Sequence, residues 1–245
     1  MKIVVISDIH GNYDALSALA EIEDYDQLWV LGDLVNYGPQ PSEVIAFVRK
    51  HATCIVRGNH DNCIGFGEDP RCSQRFREMA ESTRNHTNAI LSDGEKEFLR
   101  NLPLQADVRI GNLRCYLCHA VPSDPLFAYC PPESERWAKE CSRVGADVLL
   151  VGHTHVPFGS HIGKTLLVNP GSLGQPKSGA PRACYAVLKD WKVSFRSLSY
   201  AVEKTAAKIQ AMPIPANIQE ELISVLRTGS VEENQRGAHV ENRGD

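Results

Sequence analysis

The sequence predicts an α/β fold on two observations. Over the first 60 residues, apolar β-branched runs alternate with helix-spaced segments, and hairpin signals gather in the second half. The first run, residues 2–7, is apolar on both faces, as a strand buried inside a parallel sheet must be. Residues 13–22 follow with Leu16, Leu19 and Ala20 at helical spacing. A second strand is expected over 27–31. Pro41 and Ser42 then open a helix carrying Val44, Ile45 and Val48, with the proline near the first turn, where its missing N–H costs nothing. A third strand over 53–56 completes a βαβαβ unit.

Residues 71–102 are charged, helix-like and without strand signals, and Ser92-Asp93-Gly94-Glu95 reads as a capped helix start. They are expected to form a helical insertion, either a lid or a plain packed helix pair. Residues 104–110 and 113–118, joined by Gly111-Asn112, read as a hairpin. A helix over 133–143 and strands over 147–151, 165–168, 183–189 and 192–198 follow, the last two joined at Asp190-Trp191. Helices over 201–210 and 218–226 form a C-terminal extension, residues 201–227, to a domain of residues 1–200. The polar stretch 228–245 is expected to be disordered.

Composition narrows the function. The chain has 245 residues, 42% hydrophobic and 23% charged, with a net charge of −4. Such a balance argues against holding nucleic acid by bulk charge. No run approaches the ~20 apolar residues of a membrane span, and residues 1–9 are too short an apolar run for a signal peptide. Eight cysteines then imply free thiols in a reducing, cytoplasmic setting. Cys115-Tyr116-Leu117-Cys118-His119 matches the haem c attachment pattern. Attachment needs export, however, and strand alternation puts the two thiols on opposite faces. Packing is the simplest reading, with redox pairing the alternative.

Five short segments carry chemistry: Asp8-Ile9-His10, Gly32-Asp33, Gly58-Asn59-His60-Asp61, Cys118-His119 and Gly152-His153-Thr154-His155. Four of them follow an apolar strand-like run. Sites in α/β sheets form where strands end, so separate loops can meet in one crevice. Asp8 and His10, like His153 and His155, are two apart, and an extended chain points such pairs to one side. Isolated histidines are ordinarily core or surface residues, and His51, His86, His161 and His239 are read so; recurrence after strand ends is not explained that way. The mixture of carboxylate, imidazole and amide oxygen suits Mn²⁺, Fe, Zn²⁺ or Ni²⁺ better than Ca²⁺. Asp33 could bridge two ions through its two oxygens. Two divalent ions with two aspartates leave a surplus of about two positive charges, which attracts phosphate and acidifies a shared water.

In this order and spacing, the segments Asp8-Ile9-His10-Gly11-Asn12, Gly32-Asp33-Leu34-Val35-Asn36, Gly58-Asn59-His60-Asp61, His119 and Gly152-His153-Thr154-His155 resemble the five-block signature of calcineurin-like metallophosphoesterases. Asn169 to Pro176 resembles a further block of the small prokaryotic branch, so the resemblance covers roughly residues 1–190. It implies a four-layer αββα sandwich of two mixed sheets flanked by helices. It implies one metal on Asp8, His10, Asp33 and His155 and a second on Asp33, Asn59, His119 and His153, with Mn²⁺ the expected ion. It further implies that His60 faces the substrate as proton donor, while a metal-bridging hydroxide attacks phosphorus.

Departures from the family pattern guide the substrate. Protein phosphatases of the family carry Asp-Arg-Gly where this chain has Asn36-Tyr37-Gly38, and Glu where it has Asp61. An amide holds His60 less firmly, and Tyr37 supplies no charge. A diester monoanion balances the metal surplus better than a monoester dianion. The expected activity is therefore hydrolysis of a small, possibly nucleotide-derived phosphodiester, with Asn12, Asn36, Arg57, Lys177 and Arg182 as candidate substrate contacts. The alternatives are a phosphomonoesterase or protein phosphatase, a dinucleoside polyphosphate hydrolase, and a catalytically quiet scaffold such as the retromer subunit of this fold. Retention of every expected ligand argues against the last. Oligomeric state is not legible.

Overall fold

The computed structural model describes residues 1–71, 77–190 and 192–230. Two five-stranded mixed sheets lie face to face. In the first, β1 (Lys2–Ile6), β2 (Gln27–Val30) and β3 (Cys54–Ile55) run parallel, while β9 (Ala183–Lys189) and β10 (Lys192–Leu198) add antiparallel, in the order β10-β9-β1-β2-β3. In the second, β5 (Leu113–Cys118), β6 (Val148–Leu150) and β8 (Thr165–Asn169) are parallel, with β4 (Gln105–Ile110) and β7 (Phe158–Ile162) antiparallel at the edges, in the order β4-β5-β6-β8-β7.

Strand alternation builds the layers. Ile3 and Val5 of β1 point between the sheets with Trp29, Cys115, Leu117 and Leu150. Val4 and Ile6 point outward, onto Leu16 and Leu19 of α1 (Tyr13–Ile22) and Val44, Ile45 and Val48 of α2 (Pro41–His51). Tyr116, Cys118 and Leu149 face outward from the second sheet, onto Trp137 and Cys141 of α6 (Arg136–Val144). Helix, sheet, sheet, helix is the four-layer order the family resemblance implied. Strands buried on both faces explain why the sequence shows runs rather than alternation. Cys115 and Cys118 do sit on opposite faces of β5, and both thiols are free.

Two elements were not anticipated. Helix α3 (Asn59–Phe66) is buried almost all round, so Asn59–Gly65 show no amphipathic stripe. Strand β7 is an edge strand whose apolar face consists only of Phe158 and Ile162, half-buried against the α6 cluster. Within the expected insertion lie α4 (Arg77–Ile90) and α5 (Asp93–Asn101). Leu99 of α5 enters the α1–α2 core, and Met79 and Ala80 of α4 pack against α7 (Val202–Gln210) and α8 (Ala216–Thr228). Ser92 and Glu95 cap α5 reciprocally, as expected. Thr228, expected in the disordered tail, closes α8, and Gly229 caps it in the left-handed region. The rest of that tail, residues 231–245, and Trp191 of the expected β-turn lie outside the described residues, as do residues 72–76 of the insertion. No helix among the described residues is long and apolar enough to cross a membrane.

Candidate metal centre

Every chemistry-bearing segment leaves the C-terminal end of a strand. Asp8 and His10 follow β1, Asp33 follows β2, Asn59 and His60 follow β3, His119 follows β5, and His153 and His155 follow β6. Because β1, β2 and β3 are parallel to one another, and β5 to β6, their carboxyl ends gather at one rim of the sandwich. The paired residues reach the crevice by a route different from the one expected. Asp8 (φ 53), His10 (φ 48), His153 (φ 68) and His155 (φ 63) are not extended; each is left-handed, as are Asp33, Asn36 and Tyr37. Seven of the nine non-glycine residues with positive φ among the described residues thus belong to this one site. Each such backbone costs on the order of 1–3 kcal/mol and persists only where its surroundings impose it.

Glycines make the approach possible. A Cβ at Gly58 would overlap the Asp33 carboxylate, and one at Gly32, itself at φ +89, would overlap the Gly58 backbone. Asp61 ties the same turns together, its carboxylate accepting N–H bonds from Asp33 (2.8 Å), Leu34 (2.8 Å) and Gly58 (3.0 Å).

The side chains form two clusters of three, Asp8, His10 and His155, and Asp33, His119 and His153. Backbone carbonyls fix the tautomers, since a carbonyl can only accept. His10 Nδ1 faces Val35 O at 3.1 Å, His155 Nδ1 faces Gln175 O at 2.7 Å, and His119 Nδ1 faces Leu31 O at 2.8 Å. Each Nε2 is then turned inward. His10 Nε2 and His155 Nε2 stand 3.2 Å apart, and His155 Nε2 lies 3.4 Å from Asp8 Oδ1, a buried oxygen with no hydrogen-bond partner. In the second cluster Asn59 donates Nδ2–H to Pro70 O, which aims Oδ1 at His119 Nε2, 3.0 Å away; His153 Nδ1 is 3.2 Å from the same nitrogen. Lone pairs facing lone pairs across about 3 Å repel one another unless a cation lies between them. The donor set therefore fits two metal ions. Asp33 Oδ2 faces both clusters, 3.7 Å from His10 Nε2 and 3.3 Å from His119 Nε2, while Oδ1 accepts His60 N–H at 2.9 Å. A single oxygen, not the two of the sequence argument, is thus presented to both clusters.

Protonation favours ligation at three of the four histidines. Burial pushes His153 down to about 3 and His10 and His155 well below their ordinary value. Neutral imidazole is the form that ligates metal. Burial lifts Asp8 to about 7. At His119 burial acts downward, but the Asp33 and Asp8 carboxylates and the Leu31 carbonyl together outweigh it and raise the group to about 9, so this imidazole holds a proton that a metal ion must displace. Burial lowers His60 to about 4.

A cleft of about 420 Å³ opens over Asp33, Asn59, His60, His153 and His155. Asn36 lies behind it and donates Nδ2–H to His60 Nδ1 at 2.8 Å. Lys177 lines the cleft. Three other candidate substrate contacts do not. Asn12 caps α1 and bonds Gly174 O and Tyr200. Arg57 donates to Arg100 O and lies over Phe66. Arg182 is bound by Ser197 and Ser199. Sequence reasoning missed Arg71, Phe127 and Tyr129, which line the cleft from loops with no motif or periodicity to mark them.

Two clusters able to hold metal ions, at the strand ends of a two-sheet sandwich, are the arrangement of a metallohydrolase site. The chain belongs to the calcineurin-like phosphoesterase superfamily, whose domain model matches residues 1–190. It is 31% identical over 241 residues to the uncharacterized protein MJ0912 of Methanocaldococcus jannaschii, covering 90% of this chain and 96% of that one. It is 27% identical over 215 residues to the phosphodiesterase YfcE of Escherichia coli, covering 81% and 93%. Among solved structures, a metallophosphoesterase from Sphaerobacter thermophilus superposes with a TM-score of 0.79 at 28% identity, covering 94% of this chain and 99% of that one. The chain is a metal-dependent phosphoester hydrolase.

Proposed function

We propose that the protein hydrolyses phosphodiesters at a site holding two divalent ions, most suitably Mn²⁺. Asp8, His10, Asp33 and His155 would hold one ion, and Asp33, Asn59, His119 and His153 the other. Bound there, the ions supply Lewis acidity toward phosphoryl oxygen and a water of lowered pKa.

The protein's own groups do the remainder. Carbonyls of Val35, Leu31 and Gln175 hold three imidazoles in the ligating tautomer. Asn36 donates to His60 Nδ1, so the His60 proton sits on Nε2. With a pKa near 4, His60 is neutral at pH 7. Its role is to donate a hydrogen bond to the leaving oxygen as charge builds there, more than to carry a full proton.

The observation that carries the diester reading is the cleft, whose volume of about 420 Å³ extends past the metal ligands along Phe127 and Tyr129. It has room for two ester groups on phosphorus. The likeness to a phosphodiesterase over 81% of this chain and 93% of that one supports the same reading. Lys177 and Arg71, both on the cleft wall, favour a second reading, a more highly charged monoester or dinucleoside polyphosphate. Metal-stripped protein should lose hydrolysis of an aryl phosphodiester, and Mn²⁺ should restore it; an unchanged rate after stripping defeats the mechanism. Relative kcat/KM on a diester, a monoester and a dinucleoside polyphosphate then separates the two readings.

A further inference from the structure

Part of the cleft wall is used by none of the roles above. Tyr129 is 65% exposed, and its ring centroid lies 6.1 Å from that of His153. Phe127 carries the Arg71 guanidinium 4.2 Å above its ring. All three side chains line the cleft that contains Asp33 and His60. Set beside the ligands of the cleft, the open ring presents a flat face to whatever occupies it. The segment bearing it is also held in place. Ala120 N–H bonds Pro125 O at 2.9 Å, Phe127 N–H bonds the Asp124 carboxylate at 3.1 Å, and the buried Glu140 accepts from Ser123 N–H at 3.0 Å. The turn that carries Phe127 is therefore positioned before anything binds, and ordering it costs little at binding.

We propose that this wall is a stacking subsite for a nucleobase, which makes the substrate a nucleotidyl phosphodiester; the inference rests on the diesterase reading above. A base offers a flat π-face and a polar edge. The wall offers the matching pair, an open phenol ring and a guanidinium laid over a second ring. A purely hydrocarbon group would leave the guanidinium without use. Position assigns the group as well. His60 packs on His10 and Tyr37, with centroids 5.0 and 4.8 Å away, whereas Tyr129 packs beside His153 of the other cluster. The leaving oxygen belongs beside His60, and the ring wall takes the ester group that stays on phosphorus.

Stacking of one base contributes about 1–3 kcal/mol, and each 1.4 kcal/mol is tenfold in affinity. The test uses full-length, Mn²⁺-loaded protein and two independent readouts. By titration calorimetry, adenosine monophosphate should bind at least about tenfold more tightly than methyl phosphate. Tyr129→Ala should remove most of that excess, and Tyr129→Phe should keep it. In turnover, thymidine 5′-p-nitrophenyl phosphate and methyl p-nitrophenyl phosphate share a leaving group. The ratio of their kcat/KM values should fall about tenfold in Tyr129→Ala and hold in Tyr129→Phe. Equal binding of the two monophosphates by the wild-type protein overturns the subsite, even if both esters are hydrolysed. Failure to hydrolyse either ester overturns the diesterase reading instead, and the calorimetric comparison still decides the subsite.

Discussion

Asn12 separates a structural from a substrate role. It stands in the Asp8–Asn12 block, yet it is 1% exposed and fully engaged by protein. Its Oδ1 accepts the Ala15 N–H at 3.1 Å, capping α1, and the Thr205 hydroxyl of α7 at 3.3 Å. Its Nδ2 donates to Gly174 O at 2.9 Å and to Tyr200 Oη at 2.8 Å. Asn12→Ala loses the cap, worth about 1 kcal/mol, and the two Nδ2–H bonds, worth about 1 kcal/mol each; the Thr205 hydroxyl keeps its bond to Asp14. The sum is about 3 kcal/mol. For a chain of this size, each kcal/mol moves Tm by about 2–4 °C, so a fall of roughly 6–12 °C is expected. Asn12→Asp keeps the cap acceptor but turns an oxygen toward Gly174 O, and most of the loss should remain. The assay is thermal unfolding of Mn²⁺-loaded protein, with KM for an aryl diester measured in parallel. KM should stay within roughly twofold of wild type. A Tm within about 2 °C of wild type together with a tenfold rise in KM would refute the reasoning and return Asn12 to the substrate.

Other expectations follow from the metal centre. Asp33→Asn should weaken both ions together, because Oδ2 is the atom facing both clusters; elemental analysis that still finds two tightly held metals counts against the shared oxygen. His60→Ala should retain both ions yet slow turnover by about 10²–10⁴-fold, most with poor leaving groups; equal slowing for good and poor leaving groups argues against donation to the leaving oxygen. Metal binding should also depend on pH. Burial raises Asp8 to about 7, so below that pH a proton competes for the ligand. Mn²⁺ affinity should therefore fall about tenfold per pH unit from 7 toward 5.5, with proton release on binding. An affinity flat over that range would show that Asp8 is not a ligand.

Much of the fold was legible because its signals are local. The βαβαβ start, the β4–β5 hairpin and the capped start of α5 each follow from periodicity, turn residues or capping within a few positions. Helix α3 was not legible, since burial of Asn59–Gly65 on all sides erases the stripe that betrays a helix. The metal-ligand candidates were legible through their repeated place after strands. The substrate side was much less so. Arg57 and Arg182 carry the right charge, but neighbours in space claim them; Arg71 and Tyr129 carry no motif, yet loop geometry sets them in the cleft.

The sequence by itself determined which groups could bind metal and which strands would deliver them, because residue chemistry and strand periodicity are written in adjacent positions. Only the tertiary structure decided that five left-handed backbones turn those groups inward, that one oxygen of Asp33 faces both clusters, and which cations reach the cleft. Those outcomes depend on contacts between residues as far apart as His10 and His155. Such distances are set when the two sheets close on one another, and no local pattern encodes them.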